Sequence, residues 1–124
     1  MTNRDNSRIE FAAMVAALAK PGEVIQRELT PLDCHLIHMA IGIAGEAGEI
    51  IDAVKKPAMY RKPYDREHII EELGDLEFYM EGLRQGLGIT RKEVIDHNIE
   101  KLGKRYESGS YSDKQAVERA DKEE

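Results

Sequence analysis

Aromatic residues and cysteines are scarce in this sequence. It has no tryptophan and only two phenylalanines among 124 residues, which argues against an aromatic-rich β-sandwich. Cys34 is the only cysteine, so an internal disulfide is excluded, as is usual for proteins of a reducing cytosol. We expect Cys34 to be a small buried side chain.

Long hydrophobic runs and an excess of basic residues are also lacking. The longest apolar run, residues 11–19, is too short to cross a bilayer, and the charged N-terminus lacks the order of a signal peptide. The net charge of −6 argues against binding of a nucleic-acid polymer. A small polyanionic substrate is still possible, because a metal and a few local cations can reverse the field of one pocket. We therefore expect a cytoplasmic protein that binds neither nucleic-acid polymers nor membranes.

What the sequence does contain is typical of amphipathic helices. Hydrophobic residues make up 41% and charged residues 34% of the chain. No segment shows the alternation of apolar and polar residues that would predict a β-strand. Capping residues predict helix starts at Ser7, Thr30, Asp65, Thr90 and Ser112. Breakers predict the ends, at Pro21-Gly22, Pro57, Gly86 with Gly88, and Gly109. The predicted helices cover residues 8–19, 31–56, 66–86, 91–106 and 113–121.

Two pairs of acids lie at the centres of the two long predicted helices. Glu46 and Glu49 form one pair, and Glu72 and Asp75 form the other. Residues three apart share a helix face, so two antiparallel helices can direct all four carboxylates at one spot. Such an all-oxygen cluster suits Mg²⁺. A single E-x-x-E pair is common on solvated helices, but two pairs with apolar flanks (residues 39–44 and 76–80) indicate a metal site.

Side chains near these acids are candidates for substrate contact. His38 lies close to Glu49 on a helical wheel, and Tyr79 lies one turn beyond Asp75. The alternatives are that His38 forms a hydrogen bond near the helix start and that Tyr79 is an amphipathic core residue. Lys56, before the loop between the acid helices, could close over a triphosphate or simply keep that loop soluble.

The fourth predicted helix, residues 91–106, carries a polar stripe of Asn98, Lys101 and Arg105. An amide, an ammonium and a guanidinium on one face suit phosphate and sugar oxygens. A solvated polar face is the alternative interpretation for this stripe.

Together these residues resemble the MazG-like superfamily of all-α nucleoside triphosphate pyrophosphohydrolases. The family pattern of E-x-x-E followed by E-x-x-D corresponds to Glu46, Glu49, Glu72 and Asp75. The family ending N-x-x-K-x-x-x-R-[YF] corresponds to Asn98, Lys101, Arg105 and Tyr106. The resemblance covers roughly residues 31–107, and the segments 14–22 and 111–121 look like the small phage-type branch.

The resemblance implies hydrolysis of a nucleoside or deoxynucleoside triphosphate to the monophosphate and pyrophosphate, controlling a nucleotide pool. Mg²⁺, or Mn²⁺, would be the cofactor, and the four acids would be the metal ligands and catalytic residues. One of these acids, or a water that they and the metal orient, would supply the nucleophile. A purine deoxynucleotide such as dGTP is the favoured substrate, and a viral source would place the protein in the host cytoplasm.

The resemblance also implies a homodimer or homotetramer whose active sites are built partly from a neighbouring chain. Within one chain we expect a single all-α domain, residues 1–124, of four to five helices completed by oligomerisation. Residues 1–30 would form an N-terminal helix and loop, residues 31–106 the catalytic helices, and residues 107–124 a C-terminal arm.

Two other protein classes use acids on helices. A di-iron carboxylate bundle expects Glu-x-x-His pairs, and this sequence has none. A non-catalytic oligomerisation or regulatory module, whose acids bind metal for stability only, stays open as the alternative to an enzyme. It predicts metal-dependent melting without turnover.

Overall fold

A computed structural model describes residues 3–122 of the protein, with side chains from residue 10 onward. This part of the chain consists of helices and contains no strand, which confirms the predicted all-α class. The six α-helices are α1 (Asn3–Leu18), α2 (Gly22–Glu28), α3 (Pro31–Tyr60), α4 (Arg66–Leu87), α5 (Arg91–Arg105) and α6 (Asp113–Glu118), and a C-terminal 3₁₀ turn spans Ala120–Lys122.

The chain divides into two compact units, residues 1–34 and residues 35–124. The structure of the first unit differs from the sequence prediction in two respects. Helix α1 begins at Asn3, so Ser7 lies inside the helix and is not its N-cap. Helix α2 was not predicted, because the Pro21-Gly22 pattern by itself indicates the end of a helix. Pro21 has extended backbone angles and is the N-cap of α2, so the same residues that end one helix begin the next.

Most of the predicted helix starts are confirmed by side-chain caps. The Thr30 hydroxyl accepts a hydrogen bond from the Asp33 amide at 3.1 Å, and the Asp65 carboxylate accepts one from the His68 amide at 3.1 Å. Thr90 forms a full capping box with its partner three residues on. Ser112 caps α6. These local bonds fix where each helix begins, independently of tertiary packing.

The end of α3 differs from the prediction. The helix continues through Pro57 to Tyr60, although proline lacks an amide donor and crowds the preceding turn. Arg61 then adopts the left-handed region with φ 53°. The Lys62 amide donates to the Pro57 carbonyl at 2.9 Å, as in a Schellman motif. Left-handed residues also follow α4 and α6, at Gly88 and Arg119, so α6 ends at Glu118 and not at 121.

Helices α3 and α4 pack antiparallel through a line of close contacts. Met39, 6% exposed, lies against Gly82, and the Tyr79 ring lies against Gly42. His35 Nε2 is 2.8 Å from the Gly82 carbonyl oxygen. This register continues toward the middle of both helices, where the acid pairs lie.

Gly42→Ala should therefore destabilise the protein. A Cβ at position 42 would overlap the ring of Tyr79, and overpacking of this kind costs about 1–3 kcal/mol. Gly45→Ala, one turn away in the same helix, is the matched control because a Cβ there meets nothing within 4 Å. It should be neutral or stabilise by up to about 1 kcal/mol. Chemical denaturation of both variants checks this, and equal effects would show that Gly42 does not set the helix spacing.

Little of the apolar surface is covered within one chain. Across residues 10–122, Met39 is the only hydrophobic side chain that is buried. Ile41 and Phe78 are each 66% exposed, and Ile99 is 64% exposed. Cys34 is exposed, so the expectation that it is buried was wrong. Within the described residues, no helix has both the length and the apolar character that crossing a membrane requires.

Candidate metal centre

Three of the four predicted acids come together between α3 and α4. Carboxylate oxygens of Glu46, Glu72 and Asp75 lie within 4.8 Å of one another. Glu72 is 8% exposed, Glu46 is half-buried and Asp75 is exposed. The antiparallel packing of the two helices places the pairs at the same level, as the helical spacing predicts.

The surroundings of Glu46 favour its protonated form. The pKa of Glu46 is raised, first by a hydrogen bond to Glu72 that its protonated form makes, then by burial and by the charges of Asp75, Glu72 and Glu49. Its Oε2 atom is buried and lacks a hydrogen-bond partner among the described residues. A buried carboxylate oxygen in this position needs a proton or a cation. The residues present therefore fit a divalent metal ion.

Glu49 lies beside this group but not in it. It is exposed and lines an adjoining cavity of about 320 Å³ that Lys56 also lines. The Lys56 ammonium is 2.9 Å from the carboxylate of Asp52, which lines the same cavity. The structure thus groups Glu49 with Lys56, and its role as a metal ligand stays a prediction.

His68 joins the cavity to the acid cluster and was missed by the sequence analysis. Its Nδ1 atom is 3.8 Å from Glu72 Oε1, and its ring lines the same cavity as Glu49. The spacing could have revealed it, because His68 precedes Glu72 by one helical turn. The Glu-x-x-His pattern of di-iron proteins does not include it, because in that pattern the acid comes first.

His38 and Tyr79 are brought together on the seam between α3 and α4. Their ring centroids are 6.1 Å apart at an interplanar angle of 67°. Tyr79 also contacts Gly42, one turn before Glu46. Both residues therefore lie on the stretch of the seam that leads to the acids, where a substrate bound at a metal could reach them.

The polar stripe of α5 has different neighbours. Asn98 is exposed, and Lys101 and Arg105 are half-buried. The guanidinium of Arg105 forms two hydrogen bonds to Asp121 in the 3₁₀ turn. Lys101 lines a cavity of about 270 Å³ that Asp121 also lines. Two residues of the stripe, Lys101 and Arg105, thus lie beside the C-terminal arm.

The fold and the acid cluster define an all-α protein with a group of carboxylates between two antiparallel helices that could hold a metal ion. The chain belongs to the MazG family: the model of the MazG nucleotide pyrophosphohydrolase domain matches residues 36–110. That match confirms the resemblance drawn from the acid pairs and from the stripe on α5.

One relative comes from a bacteriophage. The Gene 37 protein of Mycobacterium phage L5 is 32% identical over 78 residues, which cover 60% of this chain and 68% of that protein. The chain is thus similar to a phage protein, as expected for the phage-type branch. No solved structure matches the chain.

Proposed function

We propose that this protein hydrolyses a nucleoside or deoxynucleoside triphosphate to the monophosphate and pyrophosphate with the help of Mg²⁺, or of Mn²⁺. The observation that carries the proposal is the convergence of Glu46, Glu72 and Asp75 around a buried carboxylate oxygen that lacks a partner. Family membership supplies the reaction class, and members of the family generally depend on a divalent metal.

We assign the four acids two different roles according to where they lie. Glu46, Glu72 and Asp75 hold the cation between the helices, and Glu49 completes the catalytic set from the adjoining cavity. When bound, the cation offsets phosphate charge and favours loss of a proton from water. Glu49 is exposed and can accept a hydrogen bond from a water in that cavity, which orients the water toward a phosphorus atom.

The remaining predicted residues bind the substrate in this proposal. Lys56 lines the Glu49 cavity beside Asp52 and attracts the phosphates. His38 and Tyr79 contact the sugar or base from the seam. Asn98, Lys101 and Arg105 offer donors to phosphate and sugar oxygens from α5. A purine deoxynucleotide such as dGTP is the proposed substrate, and control of a nucleotide pool in the host cytoplasm is the proposed role.

We further propose that the working form is a homodimer or homotetramer. Apolar side chains on α3, α4 and α5 are largely exposed in a single chain, including Ile51 at 64%. Covering such surface is favourable by about 25 cal/mol per Å². A neighbouring chain that packs on these faces could also bring its α5 stripe to the acid cluster.

A product assay tests the reaction. The protein is incubated with each of the common NTPs and dNTPs and Mg²⁺, and nucleotides and pyrophosphate are separated by chromatography. We expect monophosphate and pyrophosphate in equal amounts, with the fastest turnover for a purine dNTP. Diphosphate with phosphate would contradict the pyrophosphohydrolase assignment. No turnover with Mg²⁺ or Mn²⁺ would favour the non-catalytic metal-binding module.

A further inference from the structure

The C-terminal arm turns back along α5 after Tyr106. The rings of Tyr106 and Tyr111 lie with centroids 5.8 Å apart, and the Ser108 hydroxyl donates to Gln115 Oε1 at 3.2 Å. Ser112 then caps α6. These contacts return the chain so that the 3₁₀ turn Ala120–Lys122 packs on α5.

One bidentate ion pair holds the C-terminal arm against α5. Arg105 Nε donates to Asp121 Oδ1 at 2.7 Å, and Arg105 Nη2 donates to Asp121 Oδ2 at 3.1 Å. The Asp121 side chain is 1% exposed and that of Arg105 is 18% exposed. Two parallel N–H···O bonds fix both position and orientation, which a single lysine contact would not do. We call this Arg105–Asp121 pair the clasp.

Asp121 of the clasp lines a cavity of about 270 Å³ whose lining includes three lysines. The lining carries a net positive charge. Asp121 is paired with Arg105, and Glu100 lies 3.6 Å from Lys104, which leaves the charges of Lys101 and Lys122. Sites that enclose a drug-sized ligand measure about 300–1,000 Å³, so this smaller cavity suits the charged part of a ligand. The side chains that line it are His97, Glu100, Lys101 and Lys104 from α5 and Asp121 and Lys122 from the arm.

We propose that Asp121 is a positioning residue for an anion subsite that receives phosphate groups of the substrate. By holding Arg105 it keeps the arm, and with it Lys122, beside Lys101. The identity of the ligand as a nucleotide phosphate rests on the proposed function, whereas the subsite itself rests on the clasp and the cavity. Arg105 serves the subsite by holding Asp121, and it also remains part of the α5 stripe that we propose to contact the substrate.

Asp121→Asn tests the role of the clasp, because it keeps the shape of the side chain and removes its charge. The probe is inorganic tripolyphosphate without metal, titrated by calorimetry into the full-length protein. We expect its dissociation constant to rise roughly five- to tenfold, as for loss of a charge-assisted pair. In turnover assays KM should rise by a similar factor while kcat changes little.

The matched control is Glu118→Gln, which removes the same charge from the same arm. Glu118 belongs to an exposed pair with Lys114 on α6, so its loss should leave KM unchanged and should not weaken tripolyphosphate binding. If Asp121 merely competed with anions for the cations, Asp121→Asn would bind tripolyphosphate more tightly than wild type. Equal or tighter binding by Asp121→Asn overturns the proposal.

A second variant keeps the test open if Asp121→Asn does not fold. Lys122→Gln leaves the clasp intact and removes the cation that the arm contributes, so tripolyphosphate should bind more weakly than to Lys114→Gln, its control on α6. Equal binding by these two variants, or no tripolyphosphate binding by wild type, overturns the subsite. Absence of nucleotide turnover together with the expected binding changes would contradict the proposed function and support the subsite.

Discussion

Asp75→Asn should lower nucleotide turnover at least about a hundredfold and leave the protein folded. Loss of a residue that only supports a metal ligand already costs about 10–100-fold, so loss of a ligand should cost at least as much. Asparagine keeps the shape of the side chain but lacks the charge that a divalent cation requires. Asp75 is exposed, and its charge contributes to the repulsion on Glu46. The metal-free variant should therefore melt no lower than wild type.

Glu71→Gln is the control for this experiment. Glu71 adjoins Glu72 in the sequence but is exposed and lies outside the group of Glu46, Glu72 and Asp75. It loses the same charge from the same helix turn, so kcat and KM should stay near the wild-type values. Steady-state rates and thermal melts of both variants decide the matter. Normal turnover by Asp75→Asn, or an equal loss in Glu71→Gln, would show that the acid cluster is not the reaction centre.

The grouping of the acids could be predicted because it depends on local periodicity. Glu46 and the Glu72–Asp75 pair meet once two helices of known face pack antiparallel, and helical spacing alone defines those faces. The capping residues Thr30, Asp65 and Thr90 are local signals of the same kind. Together with Ser112 before α6, they explain why the starts of four helices were predicted to the residue.

The remaining features depend on contacts that spacing along one helix does not contain. Arg105 meets Asp121 across a turn of the arm, 16 residues away, so a sequence pattern on α5 could not show that its guanidinium is already engaged. Pro57 is usually a helix breaker, but the Schellman bond at Lys62 sets the true end of α3. Glu49 shares the periodicity of Glu46 but lines a cavity beside the acid cluster and does not join the cluster.

A divalent cation should raise the melting temperature of this protein, and raise it more at pH 7.5 than at pH 5.5. The cause lies in Glu46, whose pKa is raised above the ordinary 4.5, first by its hydrogen bond to Glu72. A carboxyl group whose pKa is higher in the folded state stabilises the fold below its unfolded pKa. That stabilisation is lost as the pH rises through the folded pKa. Metal-free protein should therefore lose stability above pH 4.5, where Glu46 ionises beside other acids.

Metal binding reverses this loss, because the cation needs the ionised carboxylate that the proton otherwise occupies. Ligand at 100 times its dissociation constant stabilises a fold by about 2.7 kcal/mol, which corresponds to a shift of several degrees. Other acids with shifted pKa values do not interfere, since hydrogen bonds lower the pKa values of Asp33, Asp52, Glu81 and Asp121. Their contributions are present above their unfolded pKa values and are lost only at lower pH.

Thermal melts with a chelator and with Mn²⁺, at both pH values, provide the measurement. Glu46→Gln removes both the titrating group and a metal ligand. Its metal-free melting temperature should therefore fall less between pH 5.5 and pH 7.5 than that of wild type, and Mn²⁺ should raise its melting temperature less. Glu71→Gln should behave as wild type. A Mn²⁺ shift that is equal in wild type and Glu46→Gln would place the metal elsewhere. A shift independent of pH in wild type would mean that the proton on Glu46 does not compete with the cation.

Chelation should also stop turnover, because the same carboxylates then repel one another and the phosphates of the substrate.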